Sequence, residues 1–306
     1  MLAFSYTITP ELRNYLLQIE SLRREILIFP LSPRTEIRLQ FEAMLERLSL
    51  SSQLTGTPLP KTEIAKLLTH PSPLPFKGIA PKKLTLLLYR QSLNHIFLNW
   101  TASPTALSID VLESAINPSD PRQPTIPHPD RDSVKDLLSY LQSKNENPVV
   151  QSALSFFTLH FSPAREFLAY NLLLPYLLLA KHGYMVKNLL VLEKFFIPPQ
   201  SHLSSQLNLY LEYFTQSFIT HLEQVRTNLL SPGPSSDLPL KSWNLTDRQL
   251  EIITTFKTPN SKITNHKIQQ LFGISQITAS RDLAKLASLN LIFPHGKGRS
   301  THYTFV

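Results

Sequence analysis

The spacing of apolar residues along this chain predicts one helix after another. From Glu11 to Ile28, Leu12, Leu16, Ile19, Leu22 and Ile26 fall three or four apart, the interval that lines side chains up on one helix face. Arg34–Leu50 continues with Ile37, Phe41, Met44, Leu45 and Leu48, and Lys82–Asn99 with Leu84, Leu87, Leu88, Leu93, Ile96 and Phe97. Further helices are predicted over Ser133–Gln142, Val149–His160, Ala164–Lys181, Leu189–Phe196 and Gln206–Leu230. Trp100–Arg131 is crowded with prolines and poor in helix signals, so a loop or short hairpin is expected there. The longest apolar run, Phe167–Ala180, contains Asn171 and Pro175 and falls short of the ~20 residues that span a bilayer. It reads as a buried core helix, and no membrane partner is expected. The fold class predicted is mainly α.

Ser231–Asp237 (SPGPSSD) has the composition of a linker. The expected organisation is a helical domain over 1–230, divided into an N-terminal region, residues 1–80, and a core, residues 81–230. A linker follows over 231–242, and a second domain over 243–306. In that second domain Thr246–Lys257 opens on Thr246 as N-cap and sets Leu250, Ile253 and Phe256 on one side. Thr264–Phe272 places Ile268 and Leu271 inward, and Gly273 supplies the left-handed residue that ends a helix. Ser275 caps Gln276–Leu289, with Ala279, Leu283 and Leu286 facing the core. Leu291–Pro294, a glycine-flexed tip at His295–Ser300 and Thr301–Val306 then read as a hairpin.

Charge sharpens that picture. From Lys241 to Val306 there are nine Lys or Arg against three acids, a net +6 of the +8 carried by the whole chain. A phosphate backbone attracts so concentrated a positive field whatever its base sequence. The segments GISQITASRDLAKLASLNLI and GKGRSTHY resemble the winged-helix regulators, which implies DNA as the partner. In such folds the second helix of the pair enters the major groove by its N-terminal end. Ser275, Gln276, Thr278, Ser280, Arg281 and Lys285 are then the candidate contacts on the helix, and Lys297 and Arg299 on the wing. Arg281 suits either a guanine edge or a phosphate, and the wing cations add affinity rather than sequence choice. A winged helix that mediates protein contacts is the alternative.

Composition removes other chemistries. There is no cysteine, hence no disulfide, thiolate metal site or cysteine nucleophile. The seven glycines stand at 56, 78, 183, 233, 273, 296 and 298, and none of their spacings fits a Walker loop, a dinucleotide fingerprint or a nucleophile elbow. No two of the ten histidines are three or four apart, so a helical zinc motif is absent and no metal is expected. Met1–Pro10 lacks the basic start and apolar run of a signal peptide, and a cytoplasmic location is expected.

The helical body resembles the Fic family, whose members mostly transfer AMP from ATP to a protein hydroxyl. LSLSSQLTGTPLPKTEI (48–64) is similar to the family's N-terminal inhibitory segment, usually Ser-Ser-x-Ile-Glu-Gly-Thr. RDSVKDLLSYLQ followed by NPVVQSALSFF (131–157) is similar to the helices leading to the active-site loop. LLLPYLLLAKHGYMVKNLLVLEKFF (172–196) is similar to the helix after that loop and its Gly-Tyr exit. The signature His-Pro-Phe-x-Asp/Glu-Gly-Asn-Gly-Arg should fall between Leu159 and Tyr170, where LHFSPAREFLAY stands. No glycine lies between Gly78 and Gly183, so the turn that presents backbone N–H groups to phosphates is missing. His160 and Arg165 are left as vestigial candidates for the base and the phosphate-binding arginine. Ser51, Ser52, Thr55 and Gly56 form a vestigial inhibitory segment in which Thr55 replaces the glutamate. The resemblance therefore implies a catalytically inactive Fic-like protein working through its winged helix, with no cofactor. A homodimer is expected because a single winged helix contacts few base pairs and paired half-sites multiply affinity. The rivals are an AMP-transferase with a divergent site, which would use ATP and magnesium, and a protein-binding scaffold.

Overall fold

The computed structural model describes residues 4–56, 58–69, 80–97, 107–116, 131–143, 146–160, 168–194, 206–230, 245–255, 262–289, 291–296 and 298–305. In chain order its elements are α1 (Pro10–Ile28), α2 (Pro33–Leu54), α3 (Lys61–Thr69), α4 (Pro81–His95), α5 (Ile109–Ile116), α6 (Arg131–Ser143), α7 (Pro148–His160), α8 (Leu168–Lys181), α9 (Leu207–Leu230), α10 (Asp247–Thr255), α11 (Asn265–Phe272), α12 (Gln276–Ser288), β1 (Ile292–His295) and β2 (His302–Phe305). Among the described residues no helix is long and apolar enough to cross a membrane.

The elements fall into two compact units. One comprises Met1–Pro30, Glu46–Leu59 and Gly78–Gly233, and the other Leu31–Leu45, Pro60–Lys77 and Pro234–Val306. The second unit therefore draws α3 and the first half of α2 from the N-terminal region, whereas the sequence pattern marks a single boundary at 231–242.

In the first unit α1 and α9 run in parallel. Near their starts Thr9 Oγ1 donates to Glu212 Oε1 at 3.2 Å, and near their ends Arg226 Nη1 donates to Glu25 Oε2 at 3.2 Å. Thr9 also caps α1 by accepting from the Leu12 N–H, and Pro10 in the first turn fits because that position needs no donor. The predicted stripe is buried at Leu12, Ile19, Leu22 and Ile26. On α9 the aromatic run Tyr210, Phe214 and Phe218 lies fully inside, ring centroids 6.2 and 6.3 Å apart. Each of the two phenylalanines removed from water contributes about 1.5–3 kcal/mol. α7 packs on α8, which is buried continuously from Leu172 to Ala180, as a helix apolar on all sides should be. Gly183 ends α8 at φ +72°, with the Gly183 N–H bonded to Ala180 O and the Tyr184 N–H to Leu179 O.

Two expectations are corrected, and one helix is added to those the sequence assigns. Between the prolines of 100–131, Ile109–Ile116 forms helix α5 rather than a loop or hairpin strand. Ser108 Oγ accepts from the Val111 N–H to start it, and Leu112 is fully buried. Lys61–Thr69, not assigned as a helix from the sequence, is helical as α3 and buries Ile64 and Leu68. The helix expected over 189–196 is replaced by short 3-10 turns at Val186–Asn188 and Leu192–Lys194, residues 195 and 196 lying outside the described set. Tertiary partners there take the backbone groups a helix would use. Arg47 binds the carbonyls of Asn188 and Leu190, His221 Nε2 accepts from the Val191 N–H at 2.9 Å, and Tyr176 Oη from the Leu192 N–H at 3.0 Å. Val186, Lys187 and Asn188 are held at positive φ, a conformation non-glycine residues rarely adopt.

Candidate nucleic-acid interface

Local capping signals set the three C-terminal helices of the second unit, α10–α12. Thr246 Oγ1 accepts from the Gln249 N–H at 3.3 Å while Gln249 Oε1 accepts from the Thr246 N–H at 3.1 Å, a reciprocal capping box at the start of α10. Thr264 Oγ1 accepts from the Lys267 N–H, and Gly273 ends α11 at φ +60°. Ser275 Oγ accepts from the Thr278 N–H to start α12. Ile252, Ile253, Ile268, Ala279, Leu283 and Leu286 close the core beneath them. Leu271, expected inward, is 54% exposed.

One buried carboxylate ties α10 to α12. Asp282, 4% exposed, accepts from Arg248 Nε and from Gln249 Nε2, both at 2.7 Å. The strands pair antiparallel with Ile292 opposite Phe305 and His295 opposite His302. Ile263 joins Tyr303 through two backbone bonds, Tyr303 N to Ile263 O at 2.7 Å and Ile263 N to Tyr303 O at 3.0 Å. That bridge adds a third extended segment, which a single residue without periodicity does not announce in the sequence. Gly296 turns the hairpin at φ +76°, where an added Cβ would stand 2.7 Å from Ser300 O.

The candidate contact residues do not all stand free. Ser275, Gln276, Ser280 and Arg281 are exposed, whereas Thr278 and Lys285 are half-buried. The Thr278 hydroxyl lies 3.0 Å from Ser275 Oγ, and Ser280 Oγ accepts from Asn265 Nδ2 at 2.6 Å. Lys297 lies outside the described residues. Arg299 belongs to the 3-10 turn Gly298–Ser300, and its side chain lies outside the description. On the same side of α12 the structure exposes Ile277, which polarity-based reading passes over.

The segment 48–64 is the end of α2, a turn, and the start of α3, and its residues up to Leu59 belong to the first unit. Ser51 and Ser52 are buried, and Ser52 Oγ donates to Ser49 O at 2.7 Å. Thr55 Oγ1 turns back on its own helix, 3.0 Å from Ser51 O and 3.1 Å from Ser52 O, before Gly56 at φ +66°. His160 is the last residue of α7 and its side chain lies outside the description, as do residues 161–167, which include Arg165.

Sequence reading also missed a buried polar cluster in this unit. Arg47, 1% exposed, sits 4.7 Å from the Phe97 ring centroid and 5.8 Å from that of Tyr176. Glu193, 2% exposed, accepts from Tyr89 Oη at 2.5 Å and Tyr176 Oη at 2.7 Å. Burial raises the Glu193 carboxyl above its ordinary value, against the opposing charge of Arg47. Burial, assisted by the charge of Lys194, pushes His221 down to about 3. These groups hold backbone in the core. Among the described residues no group of three or more His, Asp or Glu is placed to hold a metal ion.

No family model matches the chain, and no curated protein is similar to it. Among solved structures, it is similar to the crystal structure of a Fic family protein from Desulfovibrio desulfuricans G20, with 15% identity and a TM-score of 0.47, over 100% of this chain and 98% of that one.

Proposed function

We propose that this chain is a DNA-binding regulator that grips duplex DNA with a winged helix made of α10–α12 and the β1–β2 hairpin. One observation carries the reading. Residues 262–306 hold six Lys or Arg and a single acidic side chain, Asp282, and that acid is buried against Arg248 and Gln249. The outer side of α12 thus offers exposed Arg281 among neutral groups to a polyanion, with no exposed carboxylate side chain in 262–306 to repel it. The bridge from Ile263 to Tyr303 supports the same reading, since a winged helix would place a third extended segment beside its hairpin. We further propose that the body is a Fic-like scaffold without AMP-transfer activity, because the stretch from Gly78 to Gly183 holds no glycine to shape a phosphate-binding turn. It serves to pair two copies, so that two winged helices engage one site.

The test uses the full chain, because the second unit draws on residues 31–45 and 60–77 and a cut at the linker would damage it. Mobility of a random-sequence duplex should be retarded by the native protein and much less by Arg281→Glu. Equal retardation by both, or none by either at low salt, contradicts the reading. Incubation with labelled ATP and magnesium tests the body: labelled protein, lost in His160→Ala, would refute an inactive scaffold.

A further inference from the structure

We propose that Ile277 is a specificity-determining residue that reads the 5-methyl group of a thymine in the major groove. The inference rests on the DNA-binding reading above. At about 100° per residue, Gln276, Ser280, Ala284, Ile277 and Arg281 fall in that angular order on one arc of about 140° around α12. All five are exposed, and the opposite side carries the buried Ala279, Asp282, Leu283 and Leu286. The arc is therefore the face this helix offers to a partner.

Ile277 lies in the first turn, the end that enters a groove. It is 65% exposed, although isoleucine is among the residue types most often buried. Two of its polar neighbours are occupied within the fold: the Ser280 hydroxyl accepts from Asn265, and the Thr278 hydroxyl meets Ser275. Gln276 and Arg281 flank Ile277 with amide and guanidinium groups that match adenine and guanine edges. The apolar feature of the major groove is the thymine methyl, and a β-branched side chain between two polar readers is placed to cover it. The charge of residues 262–306 selects the occupant. Their single acid is buried, so an anionic duplex fits this face better than a protein surface seeking carboxylates.

The experiment starts from a pool of duplexes with a randomised core, enriched by repeated binding to the full chain. Each thymine in the selected site is then replaced by deoxyuridine, which keeps every hydrogen-bonding group and loses only the methyl. Native protein should bind about fourfold more weakly when one particular thymine is replaced, the value of one buried methyl-sized group. Ile277→Ala should bind the thymine and deoxyuridine duplexes equally at that position, and Ile277→Val should keep most of the native difference. If no thymine is methyl-sensitive, or if Ile277→Ala keeps the native ratio, the role of Ile277 is overturned while DNA binding stands. If no duplex is retained from the pool, DNA binding itself fails and the inference falls with it.

Discussion

Acidification should destabilise the first unit through His221, and the size of the effect follows from where its ring sits. The Val191 N–H can only donate, so the Nε2 atom 2.9 Å away must accept, and the ring is neutral with its hydrogen on Nδ1. Leu189 O, 3.4 Å from the same Nε2, is then a contact rather than a hydrogen bond. Burial, with the charges of Lys194 and Arg47, holds the ring at about 3 instead of the ordinary 6.5. The folded value is depressed, so the contribution is complete above about pH 6.5 and is lost as pH falls toward 3. In that window the unfolded chain binds a proton that the folded chain refuses. The slope is about 1.4 kcal/mol per pH unit, which gives roughly 2 kcal/mol between pH 6.5 and 5 and roughly 5 kcal/mol over the full range. Urea unfolding followed by far-ultraviolet circular dichroism, for native protein and His221→Gln, measures it. Glutamine can still present an oxygen to Val191 but carries no titrating group. His95 and His182 are also lowered by burial, so the difference between the two proteins isolates His221. That difference should shrink or reverse in favour of the glutamine variant by about 2 kcal/mol as pH drops to about 5. Parallel pH curves would refute the reasoning.

Other substitutions test the remaining contacts. Asp282→Ala should cost about 1–3 kcal/mol in urea unfolding, because Gln249 loses the acceptor of a buried bond, and Asp282→Asn, which keeps an oxygen there, should cost less. Arg47→Ala should cost about 3–5 kcal/mol by the same measurement, since it strips the carbonyls of Asn188 and Leu190 and leaves Glu193 without its countercharge. Glu193→Gln should be far milder. The raised Glu193 value means its contribution is full at low pH and lost as pH rises through that value, so the glutamine variant should gain on native protein as pH increases. Lys187→Gly should raise the unfolding midpoint by relieving a left-handed residue, worth about 1 kcal/mol, and a fall would contradict the strain assigned to that turn.

What the sequence disclosed was the information that repeats or that sits beside its consequence. The stripe of Leu12, Ile19, Leu22 and Ile26 repeats, and so α1 is visible in it. Thr246, Thr264, Gly273 and Ser275 cap helices within three residues of themselves, so the order of the second unit is visible too. Long-range partners leave no such trace. Arg47 reaches carbonyls more than a hundred residues away and cancels a helix that local propensity favours over 189–196. Ile263 pairs through a single bridge, and α5 lies in a stretch that its surrounding prolines make look like a loop. At the interface, polarity points to Gln276, Ser280 and Arg281 but not to Ile277. Ala279 and Leu283 fix which way α12 turns, but an isoleucine carries no polar signal to mark it as a surface contact, so its 65% exposure emerges only in the structure.

The most direct test of the central claim is the salt dependence of DNA binding by the full chain, read as fluorescence anisotropy of a labelled duplex. If the six cations of 262–306 face the duplex, affinity should fall steeply with salt, with a log–log slope of up to about −5. Arg281→Ala should reduce the steepness by about one unit if Arg281 holds a phosphate, or relax sequence preference with little change of slope if it reads a base. Absence of binding at low salt, or binding that salt and Arg281→Ala both leave unchanged, would contradict the account.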